Sequence, residues 1–112
     1  MYREYMDLRE LNSKTFSECL RSPFQIQVPG YGAVTVELTD VTERHDSPKL
    51  EQFSLIFHNV DGVHLQQAIY EMQHEKLGTI TLFLVPVGPR EGAGMDYQAV
   101  FNRVRPKSDT AA

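Results

Sequence analysis

The stretch that decides the fold is FQIQVPGYGAVTVEL, residues 24–38. Its apolar residues alternate with polar ones on both sides of a central turn, Pro29-Gly30-Tyr31-Gly32. Successive side chains of a strand point to opposite faces, so this alternation predicts two strands that each bury one face. Proline and glycine together supply the backbone angles of a tight reversal. The stretch therefore predicts a β-hairpin.

The same period of two recurs later in the chain and predicts further strands. Alternating or continuous apolar runs lie at 53–57, 69–74, 80–87 and 97–104. The connections between the runs are too short for the crossovers that parallel strands need. The expected fold is therefore mainly β, with about six antiparallel strands in a small barrel or sandwich and one short N-terminal helix.

That helix is predicted from the residues that precede the first strand. Apolar residues recur at helical spacing up to Leu20, and Asn12 or Ser13 can cap a helix from its N-terminal side. Pro23 ends the pattern, because the residue before a proline avoids helical backbone angles. We expect a short helix over about 12–21.

Length and composition predict one domain and exclude some classes of function. A chain of 112 residues with 41% hydrophobic residues is of ordinary size for a single domain, expected over 1–104. Residues 105–112 have no apolar anchor and are expected to form a flexible tail. The net charge of −4 and the scarcity of basic residues argue against nucleic-acid binding.

The expected location is the cytoplasm. The charged start of the chain is unlike a signal peptide, and its longest apolar run is far shorter than the roughly 20 residues of a membrane helix. A single cysteine, Cys19, forms no internal disulfide and fits a reducing compartment.

Residues with catalytic or metal-binding potential do not form a recognisable motif. The spacings of the four histidines, His45, His58, His64 and His74, match no compact metal-ligand pattern. Cys19 is expected near the C-terminal end of the helix, where the helix dipole disfavours a thiolate. We therefore expect no catalytic residue, cofactor or metal.

Apolar residues exceed what a small core needs and predict an interaction face. The run at 80–87 is apolar on both faces, as in a fully buried central strand. One of its faces still needs a cover, either the N-terminal helix or a second protein. The residues assigned to this face are Ile56, Ile69, Leu82 and Leu84.

Polar residues near predicted strand ends suggest an alternative site. The side chains of His58, Tyr70, His74 and Tyr97 could line the mouth of a barrel, where small-ligand sites often form. The two hypotheses are a non-enzymatic interaction or assembly module and a small-ligand binder or minor enzyme. The first predicts a protein partner or self-association, with neither nucleic acid nor membrane involved.

A set of motifs in the second half resembles a known family. In chain order they are FSLIF (53–57), LQQAIY (65–70), HEKLG (74–78), LFLVPVG (82–88) and YQAVFN (97–102). They are similar to the FSLLF, LPQGTY, H..LG, LFLVPIG and YEAVFN pattern of small bacterial proteins known only as a domain of unknown function. Ala68 stands where that family usually has glycine, so the backbone there needs no glycine in this chain.

The family resemblance implies a soluble bacterial domain and brings no established activity, cofactor or catalytic residue. It also implies an association with phage-tail-like structures, which favours an assembly role. The motifs, together with the segment from Leu11 to Phe16, cover nearly the whole chain.

Overall fold

Buried and exposed side chains alternate along the strands of the computed structural model. The structure describes residues 11–45, 47–59, 61, 63–89 and 94–104. The predicted first residues of the domain and the predicted tail over 105–112 lie outside these ranges. The elements are α1 (Ser13–Ser17), β1 (Pro23–Val28), β2 (Gly32–Arg44), β3 (Leu50–Asn59), β4 (Ala68–His74), β5 (Gly78–Pro89) and β6 (Met95–Val104).

The predicted fold class is confirmed. Six antiparallel strands form one sheet that closes in a ring, in the order β1-β2-β3-β6-β5-β4. The predicted hairpin joins β1 to β2, with Phe24 opposite Val36 and Ile26 opposite Val34. Gly30 in its turn has φ +78°, a left-handed conformation that glycine adopts without steric cost.

The alternation of strand β2 shifts by one residue at Asp40-Val41, which in the sequence is typical of either a bulge or a strand end. Its register against β3 shifts between Leu38 and Asp40, and pairing then continues to Arg44 opposite Gln52. A bulge inserts one residue without ending the ladder, so the change in alternation marked a bend in the strand and not its end.

The β3–β6 and β1–β4 pairings, which join strands distant in the chain and close the ring, differ greatly in length. Strands β3 and β6 pair along their whole length, from Leu50 opposite Val104 to Asn59 opposite Met95. Strands β1 and β4 pair only at Gln25 opposite Gln73 and Ile26 opposite Met72. The β1–β4 seam is therefore the narrowest joint of the ring.

Helix α1 is shorter than the predicted 12–21. Asn12 caps it, since its Oδ1 accepts a hydrogen bond from the Thr15 amide at 2.9 Å. After the helix, the Arg21 amide donates to the Leu38 carbonyl at 2.8 Å, and the Leu38 amide donates to Ser22 at 3.3 Å. Strand β2 thus hydrogen-bonds to backbone groups that would pair within a longer helix.

An aromatic cluster joins α1 to the interior of the ring. Phe16 is fully buried, and its ring centroid lies 6.1 Å from that of Phe53 and 5.7 Å from that of Phe101. The Phe53 and Phe101 rings stack at 4.4 Å. Arg103 lies beside both of these rings and donates hydrogen bonds to Glu51 and to the Leu11 carbonyl. The Phe16 side chain therefore packs against β3 and β6, while the backbone of α1 lies beside β2.

Candidate functional site

Two residues of the alternative pocket, Tyr97 and Tyr70, hydrogen-bond to the backbone inside the fold. Tyr97 is completely buried, and its hydroxyl donates to the Val63 carbonyl and accepts from the Leu65 amide at 2.8 Å. The Tyr70 hydroxyl donates to the Gln66 carbonyl at 2.6 Å. Burial raises the pKa of Tyr97. Both hydroxyls therefore form hydrogen bonds with the backbone of the segment between β3 and β4.

His74 is buried in a third internal network. Its Nδ1 accepts from the Lys76 amide at 3.0 Å and the Leu77 amide at 3.3 Å. Its Nε2, which therefore carries the hydrogen, donates to Ser22 Oγ at 2.7 Å, and the Ser22 hydroxyl donates to the Cys19 carbonyl. This neutral imidazole ties the β4–β5 turn to the segment that follows α1.

The stability of the protein should fall with His74 protonation. Burial lowers the pKa of His74 below its usual 6.5. The unfolded chain then binds a proton more readily than the folded chain, so stability is full above about pH 6.5 and declines as the pH falls toward the folded-state pKa. Denaturant titrations at a series of pH values would measure this decline.

The matched variants for this prediction are His74→Gln and the exposed His64→Gln. We expect His74→Gln to be less stable at neutral pH and to lose part of the decline below about pH 6.5. His64→Gln should keep the wild-type profile. An unchanged profile in His74→Gln would contradict the prediction.

His58 is the remaining member of the alternative pocket and pairs with Asp96. Its Nδ1 lies 2.7 Å from Asp96 Oδ1, on facing positions of β3 and β6. A β-carbon placed on Gly94 would lie 2.8 Å from His58 Nε2, so the Gly94 backbone lies close to this side of the imidazole ring.

A shallow pocket of about 260 Å³ lies beside His58. Its lining includes Arg21 and Glu37, which form an exposed ion pair at 3.6 Å, and Asp61. The structure places His58 here and the Tyr70, His74 and Tyr97 side chains in the buried networks. The four residues of the alternative site thus have different structural settings.

Among the residues that the structure describes, no group of three histidine, cysteine, aspartate or glutamate side chains is placed to hold a metal ion. No helix in those ranges has the length and apolar character needed to cross a membrane. Cys19 is buried, and this burial raises the pKa of its thiol, which keeps it protonated.

The predicted interaction face needs a correction. Leu82 and Leu84 are only 4% and 1% exposed and belong to the core, while Ile56 is half-buried. Ile69 is 69% exposed. Strand β5 therefore buries one face, which holds Leu82 and Leu84, and turns its other apolar face outward.

Four exposed apolar residues of β4, β5 and β6 form what we call the outer apolar face. Its members are Ile69, Phe83, Val87 and Val100, which are 69%, 49%, 49% and 66% exposed. Ile69 stands directly opposite Phe83 in the β4–β5 register. A contiguous apolar area of this kind on a soluble domain usually marks a contact surface.

A groove of about 350 Å³ lies over β5 and β6 within this face. The β5–β6 register runs from Pro89 opposite Met95 to Val85 opposite Gln98. The lining residues are Thr81, Leu82 and Phe83 on β5 and Ala99, Val100, Phe101, Asn102 and Arg103 on β6. The buried members form the floor, and exposed Phe83 and Val100 form the rims.

Residues 11–101 match the model of a domain of unknown function, DUF6916. The chain belongs to this family. The DUF6916 match begins at Leu11, whose carbonyl accepts a hydrogen bond from Arg103, and ends at Phe101, which lines the groove.

The predicted resemblance to a domain of unknown function is confirmed by this match. No curated protein and no solved structure matches the chain. Because the function of the DUF6916 family is unknown, membership assigns no activity to the site, and its function must be argued from its geometry.

Sequence reasoning missed the outward position of Phe83, Val87 and Val100. One signal was present, because Phe83 and Val87 share the alternation of Thr81, a polar residue that is exposed in the structure. Because the run at 80–87 is apolar throughout, its sequence does not show which residues face outward. The pairing with β4 shows this, since exposed Ile69 lies opposite Phe83.

Proposed function

We propose that the protein is a non-enzymatic interaction or assembly module that binds a protein partner through the outer apolar face. The observation that carries the proposal is the exposure of Ile69, Phe83 and Val100 on neighbouring strands. Covering apolar surface contributes about 25 cal/mol for each Å² removed from water. A folded domain gains this free energy only when another surface covers the face.

The charge of the surface supports a protein partner over a nucleic acid. Arg103 is the one charged residue among those that line the groove, and its guanidinium donates to Glu51 at 2.9 Å. Nucleic-acid binding depends on several basic groups that contact phosphates. An uncharged apolar surface instead resembles the core of a protein interface.

The imidazole and phenol groups of the alternative site support a non-enzymatic role. His74, Tyr70 and Tyr97 are bonded to the backbone or to Ser22, and His58 Nδ1 lies 2.7 Å from Asp96 Oδ1. Acid–base catalysis needs a titrating group within hydrogen-bond reach of a substrate. These contacts engage the groups in holding the fold.

A lysine on the outer apolar face tests the proposal. We expect Phe83→Lys to weaken association because it places a charge in a desolvated contact. The control, Gln27→Lys, adds the same charge at an exposed position of β1. Light scattering over a wide concentration range would report self-association, and quantitative enrichment from a cell extract would report a heterologous partner.

The expected result is an associated species that wild type and Gln27→Lys form and Phe83→Lys does not. Thermal unfolding of all three proteins checks that each remains folded. A wild-type protein that stays monomeric and enriches nothing beyond Phe83→Lys would contradict the proposed function.

A further inference from the structure

The buried His74 lies at one end of the β1–β4 seam. One backbone pair of the seam joins Gln25 to Gln73. The adjacent residues along these two antiparallel strands are Phe24 and His74, and their ring centroids lie 4.4 Å apart. Both side chains are buried. The imidazole therefore continues the contact between β1 and β4 past the backbone pairs.

Hydrogen bonds of His74 join the two sides of the seam at this end. Nε2 donates to Ser22 Oγ at 2.7 Å, and Ser22 immediately precedes β1. Nδ1 accepts from the amides of Lys76 and Leu77 at 3.0 Å and 3.3 Å, in the turn that follows β4. These three hydrogen bonds, which we call the His74 bridge, hold the start of β1 against the end of β4.

Protonation of His74 is incompatible with the bridge. Both ring nitrogens of an imidazolium carry a hydrogen, so Nδ1 would then face two amide donors that it cannot accept. A buried charge without an opposite partner is also costly. Burial accordingly lowers the pKa of His74. A protonated His74 is therefore more stable when it leaves this site for water.

The elements around His74 contribute few other titratable groups. These are Glu75 and Lys76 on its own turn, and Cys19 and Arg21 on the segment between α1 and β1. Glu75 raises the pKa of His74 and Lys76 lowers it, although burial has the larger effect. Strands β1 and β5, which flank β4 in the ring, contain no titratable residue. The bridge therefore responds to the titration of His74 itself.

Separation of β1 from β4 would leave the hairpins of the ring intact. Strand β1 pairs with β2 along its whole length, and β4 pairs with β5 along its whole length. Each strand therefore keeps one partner when the two move apart. Such an opening breaks only the contacts across the seam, so it costs less free energy than global unfolding.

We propose that protonation of His74 opens the ring at the β1–β4 seam, so that the protein converts from a closed form to an open form as the pH falls. In the closed form, the neutral imidazole makes the His74 bridge. In the open form, the bridge is broken and the inward-facing side chains of Ile26 and Met72 become accessible. The seam is separate from the outer apolar face, so failure of this proposal would leave the proposed function unchanged.

The native cysteine reports the opening in the unmodified protein. Cys19 is the one cysteine of the chain, is only 4% exposed, and accepts a hydrogen bond from Ser22 at its carbonyl. Its labelling rate with dithiodipyridine, divided by the rate in denatured protein at the same pH, gives the fraction of open form. We expect this ratio to rise between about pH 7.5 and 5, about tenfold for each unit that separates the His74 pKa values of the open and closed forms.

Amide hydrogen exchange followed by NMR locates the opening. The amides of Lys76 and Leu77, which His74 accepts, should lose protection as the pH falls, together with the amides that bond across the seam. Their exchange should be at least about tenfold faster than global unfolding allows. Amides of the β3–β6 ladder should exchange only through global unfolding. Equal protection of the seam and this ladder at every pH would overturn the proposal.

Two variants act on the bridge in opposite ways. His74→Gln keeps an acceptor but cannot be protonated, so its Cys19 labelling ratio should not rise as the pH falls. Ser22→Ala removes one hydrogen bond of the bridge and should raise the ratio already at neutral pH. The exposed His64→Gln is the control and should behave as wild type does. A rise that persists in His74→Gln, or a neutral-pH ratio that Ser22→Ala leaves unchanged, would overturn the proposal.

Discussion

Replacing Phe16 with alanine is expected to lower the free energy of unfolding by about 3–5 kcal/mol. Phe16 is completely buried against the stacked rings of Phe53 and Phe101, so truncation removes apolar contacts and leaves a cavity. A domain of this size is typically stable by only about 5–15 kcal/mol. Urea denaturation followed by far-UV circular dichroism would measure the loss. The chain contains no tryptophan, so tryptophan fluorescence cannot report its unfolding.

Tyr31→Ala is the matched control for Phe16→Ala. It truncates an aromatic side chain that is exposed in the β1–β2 turn, so we expect almost no change in stability. Phe16→Leu, which keeps most of the apolar volume, should lie between the two. If Phe16→Ala and Tyr31→Ala were equally stable, packing of α1 on the ring would contribute little to the folded state.

The second large effect is expected at Gly94, where alanine should cost about 3 kcal/mol in stability. A β-carbon there would lie 2.5 Å from both the Asn59 carbonyl oxygen and His58 Cε1, closer than real β-carbons approach such atoms. The φ of +87° adds strain, because L-residues with side chains rarely adopt it. Denaturant unfolding of Gly94→Ala would measure the sum of the clash and the strain.

Gly30→Ala separates the two contributions at Gly94. Gly30 also has a positive φ, +78°, but a β-carbon there meets no atom within 4 Å. Its substitution should cost only about 1 kcal/mol from backbone strain. Equal losses in Gly30→Ala and Gly94→Ala would show that the contact with His58 and Asn59 relaxes freely.

Much of the fold was predictable because strand patterns act locally. Val34, Val36 and Leu38 alternate with polar residues, and the structure buries all three on one face. The Pro29-Gly30 turn that precedes them carries its own backbone signal. Local patterns of this kind do not specify which strands become neighbours, so the β3–β6 pairing could not be predicted from them.

Features that depend on tertiary contacts were not predictable. Helix α1 ends early because the Leu38 carbonyl accepts the Arg21 amide, although the sequence between them contains no signal for that bond. The outward position of Phe83 follows from its pairing with Ile69. His74 and Tyr97 were predicted to line an open mouth, yet both are buried and bonded to groups distant in sequence, the Ser22 hydroxyl for His74 and the Leu65 amide for Tyr97.

The ring order has a consequence for how the chain could be divided. Strands β1, β2 and β3 are sequential neighbours in one arc, and β4, β5 and β6 are sequential neighbours in the other. The long β3–β6 ladder and the two-pair β1–β4 seam join these arcs. A cut in the connection between β3 and β4 would leave every hairpin intact in one fragment or the other. The domain therefore has the architecture that fragment complementation requires, with the β3–β6 ladder as the surface on which two separate polypeptides reassemble.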